Sequence, residues 1–443
     1  MTAIRKICAV LLFLNLCIGS AEAGLFGAKS FVLENGLQVI VIPNHKAPII
    51  KQMLWYKAGS ADEESGRGGT AHLLEHLMFR GTDKVKGSRL NDLLEQNGAE
   101  SNAFTSLDYT AYHQSLDISK LELAMALEAD RMQNLKITPK DFELERDIVF
   151  QERKQVVENN PAAPFSESYR RLLWQEHPYG RPVSGTSEEI KSLKIEDVQN
   201  FYQKYYSPAN AILVLSGDID ESTAKNLAEK YYGKIKPQAT VSETKFPKVN
   251  EALRATLKMD LPKINAERLV RTYIAPSYNT DKEAIYNLSV LSKYLGEGET
   301  SELYKSLVLD RKLALSISSD YDFASRSYGR FSISALPAKG VDPADLNKAI
   351  DEELAKAVNS LNIDKINKTK SKMLAGLVYL LDNPFEAAEI AGRMAAVGMS
   401  IEDIENHADN IKNVTYQNVK KAANKLFSSS ARIDGILIPK GEK

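Results

Sequence analysis

Cysteine is nearly absent from this 443-residue chain: there are two, Cys8 and Cys17, both close to the N-terminus. The rest of the chain can form no disulfide and offers no thiolate to a metal, so any metal must be held by histidine and carboxylate. Histidine is scarce too, with six residues. Neither sign of charge dominates: 57 Lys and Arg stand against 58 Asp and Glu, a formal net charge of −1. That balance argues against nucleic acid or an anionic membrane surface as the main partner. Long apolar runs are lacking as well. The run Ile7 to Ile18, broken by Asn15, is about a dozen residues, too short for a stable membrane anchor.

That run reads instead as an export signal. Arg5 and Lys6 form a short basic region before it, and Ala21-Glu22-Ala23 supplies the small-x-small pattern of a cleavage site. Leu16 is bulky where a lipoprotein site at Cys17 would need a small residue. The expectation is a signal peptide over 1–23, cleaved after Ala23, and a periplasmic or secreted protein. A cysteine-free mature chain suits an oxidising compartment.

What is present is concentrated in Thr70-Ala71-His72-Leu73-Leu74-Glu75-His76-Leu77-Met78-Phe79. Histidines four apart on a helix share one face and can reach a single metal ion. Glu75 projects near that face, close enough to act on a water bound there. The His-x-x-Glu-His order is a recognised metalloprotease pattern, though it needs a third ligand.

The chain reads as two related halves. Glu196 to Tyr206 has helical periodicity, stops at Ser207-Pro208 and enters the strand Ala211 to Leu215. Tyr416 to Phe427 is a second such helix, followed by the strand Ile433 to Ile438. Each half also has an apolar strand, Met53 to Tyr56 and Leu269 to Tyr273, with a long helix expected after it. Lys234 to Leu253, rich in Pro, Thr, Lys and Glu, reads as the linker. This divides the mature chain into 24–233, 234–253 and 254–443. Phe31 to Leu33 and Leu37 to Ile42 read as strands joined at Asn35-Gly36. Ser101 to Thr105 and Tyr109 to His113 read as a second strand pair. Pro139 to Asn159 reads as a long helix with Thr138 as N-cap and Pro139 at its first position. The expected fold class is α+β, two homologous domains, each a mixed or antiparallel sheet with helices packed on one side.

The Pro139 helix carries Glu143, Glu145, Glu152 and Glu158. Glu145 and Glu152 are seven apart and share a face. Ile148, Val149 and Val156 offer an apolar stripe expected to bury part of the helix, and a carboxylate beside such a stripe needs a partner. A plain solvated face remains the competing reading of these glutamates.

Here the chain resembles the M16 (pitrilysin-like, inverzincin) zinc metallopeptidases, in the short two-domain type of the zinc-bearing subunit of mitochondrial processing peptidase. The resemblance rests on Gly68 to Thr82, on Asn102-Ala103-Phe104-Thr105 with Asp108 to Tyr112, on Glu145 to Glu152, and on His177 to Pro182 with Gly185-Thr186. It implies one zinc ion per chain, held by His72, His76 and Glu152, with Glu145 supporting the ligands from behind and Glu75 as general base. It also implies that the strand at Asn102, Ala103 and Phe104 binds an extended peptide substrate by its edge. His45, His113, His177 and His407 are read as structural or surface residues rather than ligands.

The second half departs from the family pattern. Where relatives have an arginine and a tyrosine that help hold the substrate, this chain has Val308 and Leu315. The expected activity is therefore an exported zinc endopeptidase acting on peptides or unfolded segments, as a homo- or heterodimer with a zinc-less relative supplying Arg and Tyr. The rival reading is a non-catalytic scaffold or core-type subunit of an assembly. It would follow from loss of the zinc ligands, whereas all four residues of this site are present.

Overall fold

The computed structural model describes residues 24–237, 244–381 and 383–440. The expected signal peptide and part of the expected linker lie outside them. Residues 29–217 contribute one sheet: β1 (Lys29–Val32), β2 (Gln38–Pro43), β3 (Ile49–Tyr56), β4 (Glu100–Thr105), β5 (Thr110–Asp117) and β6 (Ala211–Gly217), in the order β1-β2-β6-β3-β5-β4. A second sheet holds β7 (Arg254–Leu261), β8 (Arg268–Ala275), β9 (Ala314–Asp322), β10 (Gly329–Pro337) and β11 (Arg432–Pro439), in the order β7-β11-β8-β10-β9.

These orders are one topology used twice. In each, the last strand enters between two earlier ones, β6 between β2 and β3 and β11 between β7 and β8, parallel to the first of the pair and antiparallel to the second. The remaining pairs are antiparallel. The helix-to-strand likeness seen in the sequence, Ile195–Tyr205 into β6 and Tyr416–Ser429 into β11, is the part that makes this insertion. The fold is α+β, as expected.

The central strands of the first sheet are buried on both faces, whereas β7, β9 and β10 of the second alternate between covered and exposed residues. In the first sheet Val39, Val41, Leu54, Tyr56 and Leu213 pack with helices of their own half. Ile40, Ile42, Met53, Trp55 and Val214 point the other way, into a cluster built largely from the second half. The helix Pro384–Ala396 covers that face. It comes so close that a Cβ added at Gly392 would lie 2.1 Å from Trp55 Nε1. The second sheet is treated reciprocally. The first-half helix Ala163–Trp174 lays Phe165 and Tyr169 against Ile433 and Leu437, and Tyr169 donates to the Ile433 carbonyl at 2.8 Å. Each half thus keeps its own helices on one face of its sheet and receives a helix of the other half on the opposite face.

A charged clasp completes the junction. Arg326, between β9 and β10, donates to Asp62 at 2.6 Å and to Asp108 at 3.1 Å, and Tyr179 donates to Asp108 at 2.7 Å.

Two local expectations are corrected. The helix after β3 is short, Thr70–Leu77, and is followed by a 3-10 turn rather than being a long helix like Lys282–Gly296 after β8. The stripe Ile148, Val149, Val156 does not bury the Pro139–Glu158 helix: Val149 is fully buried, but Ile148 is 40% and Val156 57% exposed. The buried face runs through Phe142, Glu145, Val149 and Arg153, spaced three and four apart, and Ile148 and Val156 sit off that row.

Candidate metal centre

Gly69 starts the Thr70–Leu77 helix with φ 91°, a left-handed conformation favoured by glycine. A Cβ there would lie 2.6 Å from the Ser184 carbonyl oxygen. The first turn is held by Glu63, whose carboxylate accepts from the Gly69 and Ala71 amides at 3.1 and 2.9 Å. Burial pushes the Glu63 carboxyl up to about 8 despite those bonds. Ala71, Leu73, Leu74 and Leu77 are buried beneath the helix, so His72 and His76 are left on the other side, their rings 4.9 Å apart.

The Pro139–Glu158 helix packs against this one. Thr138 caps it by accepting from the Asp141 amide, with Pro139 at the first position, as the sequence implies. It sets two carboxylates on either side of His76. Glu145 is buried and lies 3.0 Å from His76 Nδ1, while Arg80 donates to the same carboxylate. Burial alone would raise Glu145, but the His76 and Arg80 hydrogen bonds outweigh it and hold the carboxyl below its usual range. An ionised carboxylate only accepts, so Nδ1 of His76 carries a proton, and in the neutral ring the lone pair then lies on Nε2.

That Nε2 lies 3.5 Å from Glu152 Oε2, and His72 Nε2 lies 3.8 Å from the same oxygen. Both separations exceed a good hydrogen bond. They are close to the ligand–ligand edge of a tetrahedral zinc site, about 3.3 Å for bonds of about 2.0–2.1 Å. His72, His76 and Glu152 are the one group of three or more such side chains among the described residues whose ligand atoms converge, all within 4.8 Å. Burial, reinforced by neighbouring His76, lowers His72 to about 4, which leaves its lone pair free. His76 is raised, because Glu145 and the surrounding carboxylates outweigh its burial. Two neutral-capable imidazoles and a 48% exposed carboxylate suit zinc, and the Glu145–His76 contact is the supporting bond that a ligating histidine commonly has.

Glu75 points into the same cleft, of about 500 Å³, which His72, Glu152, Ala103, Phe104 and Thr105 also line. Thr105 donates to Glu75 at 2.5 Å. Burial lifts the Glu75 carboxyl above its ordinary value, with the Thr105 bond pulling against it. Residues Asn102 to Thr105 belong to β4, which ends the sheet and pairs only with β5 among the described residues. Its outer edge flanks the cleft.

The other histidines lie elsewhere. His45 meets Asp218 at 2.7 Å on the surface, and His177 lies 2.9 Å from Ser327 in the junction between the halves. His407 packs between Tyr286 and Phe323, and His113 sits on β5. Val308 is partly buried and Leu315 is 65% exposed; neither lines the cleft, and Arg311 is engaged by Glu352 and Glu353. Sequence reasoning missed Glu63, Thr105 as a partner of Glu75, and Arg80 as a partner of Glu145. All three contacts span loops or separate elements, and no spacing rule marks them.

A duplicated α+β sheet with this two-histidine helix defines a class of two-domain metallopeptidase-like proteins, and comparison with known proteins names it. Residues 38–187 match the family model "Insulinase (Peptidase family M16)", and residues 192–373 match "Peptidase M16 inactive domain". The chain belongs to the M16 peptidase family. "Zinc protease PqqE" of Helicobacter pylori is 26% identical over 431 residues, covering 95% of this chain and 94% of the relative. "Probable mitochondrial-processing peptidase subunit beta, mitochondrial" of Arabidopsis thaliana is 27% identical, covering 89% of this chain and 75% of the relative. A crystal structure of a protease from Helicobacter pylori superposes with a TM-score of 0.84 at 25% identity, over 93% of this chain and 99% of that one. Among the described residues, no helix is long and apolar enough to cross a membrane.

Proposed function

We propose that the protein is an exported zinc endopeptidase that hydrolyses extended peptides or unfolded segments. The observation that carries this reading is the convergence of His72, His76 and Glu152 in one cleft with Glu75 and the edge of β4 that no other strand covers among the described residues. One zinc per chain is held by those three residues, with Glu145 orienting His76. Zinc bound there supplies a Lewis acid for the scissile carbonyl and an acidified water.

The protein's own side chains do the rest. Substrate adds to the edge of β4 at Asn102, Ala103 and Phe104 through main-chain hydrogen bonds, which favours extended chains over folded ones. Glu75 accepts a proton from the attacking water and returns it to the leaving amine. Thr105 fixes the Glu75 carboxylate toward the cleft. The catalytic unit is 24–233, joined through 234–253 to the related unit 254–443.

The second unit lacks the arginine and tyrosine of relatives at Val308 and Leu315, and the chain is similar to a protein named as a subunit. We infer that it works as a dimer, with a zinc-less relative supplying those groups. Hydrolysis of a quenched peptide library by the purified chain, alone and with such a relative added, tests this. Activity that rises at least tenfold with the relative supports the dimer; full activity of the chain alone removes that part of the reading.

A further inference from the structure

The cleft holding the metal centre adjoins a second cavity at the junction between the halves, and the two share Arg170. The helix Ala163–Trp174 forms one wall and presents Arg170, which also lines an adjoining cavity of about 160 Å³. That second cavity brings in Arg330 from β10 and Arg393 from the helix Pro384–Ala396. Three guanidinium groups from three elements, one in the first half and two in the second, thus line the second cavity, while Arg153 lines the metal cleft beside Arg170.

The carboxylates of the two cavities are mostly engaged. Glu167 is held by Arg153. Asp108 is held by Arg326 and Tyr179. Asp322 lies 3.7 Å from Arg330, a loose pairing. Glu152 and Glu75 belong to the metal centre. The guanidinium groups of Arg170 and Arg393 make no hydrogen bond and no ion pair among the described residues. Burial pushes the Arg170 guanidinium below its usual range; nearby Glu167 opposes this, and the charges of Arg330 and Arg153 add to it. A half-buried cation without a carboxylate partner is costly to keep, and an incoming anion would relieve that cost.

We propose that Arg170, with Arg330 and Arg393, forms a subsite for a carboxylate of the bound peptide, and so selects substrates carrying an anionic group at a set distance from the scissile bond. This rests on the peptidase reading for its substrate class. The carboxylate is that of an acidic side chain or of the peptide's C-terminus. The planar guanidinium of Arg170 suits bidentate contact with either.

Binding to the full-length zinc-loaded Glu75→Gln protein tests the subsite without relying on turnover. Fluorescent peptides with an amidated C-terminus carry Glu, Gln or Lys at each position in turn, and a parallel set has a free C-terminus. The expected result is one position at which Glu binds at least tenfold tighter than Gln, or a tenfold preference confined to the free terminus, which would assign the carboxylate to its second source. In the Arg170→Gln background that ratio falls below about twofold. Arg170→Glu reverses it in favour of Lys, or of the amidated terminus, and a misfolded protein would not produce such a reversal. Failure to bind any peptide, a Glu-to-Gln ratio near one throughout, or a preference that survives Arg170→Gln overturns the subsite. Turnover by the wild type with the zinc-less relative present separates the two ideas: cleavage without charge preference removes the subsite alone. Charge-selective binding with no cleavage of any peptide removes the peptidase reading alone.

Discussion

His76 Nδ1 lies 3.0 Å from Glu145 Oε2, and that contact decides which nitrogen of His76 faces Glu152. The carboxylate is itself gripped by Arg80, so the ring is held by a fixed acceptor. On the proposed reading, Glu145 acts on the metal only through His76. Glu145→Gln should therefore weaken zinc binding by about 10–100-fold, measured by competition with a chromogenic chelator. Unchanged affinity would show that His76 needs no such support.

The Arg326 clasp makes a different prediction. Its guanidinium neutralises Asp62 and Asp108 at the junction between the halves, where both carboxylates are buried. Arg326→Met leaves two buried carboxylates without their cation. The expected loss is about 3–5 kcal/mol, read from urea unfolding of the full chain. Zinc content of the folded fraction should not change. A loss below about 1 kcal/mol would mean that the helix exchange between the halves holds them without the clasp.

The fold is legible in the sequence wherever local chemistry decides it. Asn35-Gly36 makes the hairpin because Gly36 takes φ 87°, and Thr138-Pro139 starts its helix as caps do. The four-residue spacing of His72 and His76 is enough by itself to put both on one helix face. What stays hidden depends on which element packs on which. An apolar face on Pro384–Ala396 does not say that it will cover Trp55 in the other half. Ile148 and Val156 read as buried only while the side of the helix that meets Phe142 and Val149 is unknown. Arg326 acts on groups far away in sequence, and nothing in its immediate neighbours marks it.

Acid should destabilise the protein partly through His407. Burial among Tyr286 and Phe323 lowers its pKa to about 4, against about 6.5 in an unfolded chain. Between those values the unfolded state binds a proton that the folded state does not. Stability is therefore full above about pH 6.5 and falls as the pH drops toward 4. His407→Phe should flatten the acid side of the urea midpoint profile, by up to about 1.4 kcal/mol per pH unit. Parallel profiles for the two proteins would rule this contribution out.

On the proposed reading, His72, His76 and Glu152 hold a zinc ion for Glu75 to work beside. The most direct measurement is zinc content together with hydrolysis of a peptide library by the wild type and Glu75→Gln, each with the zinc-less relative present. About one zinc per chain is expected in both proteins, with a loss of at least 10²-fold in kcat/KM for the variant, which removes the proton carrier and leaves the ligands. Equal cleavage by both, or a wild type that binds no zinc, would contradict it.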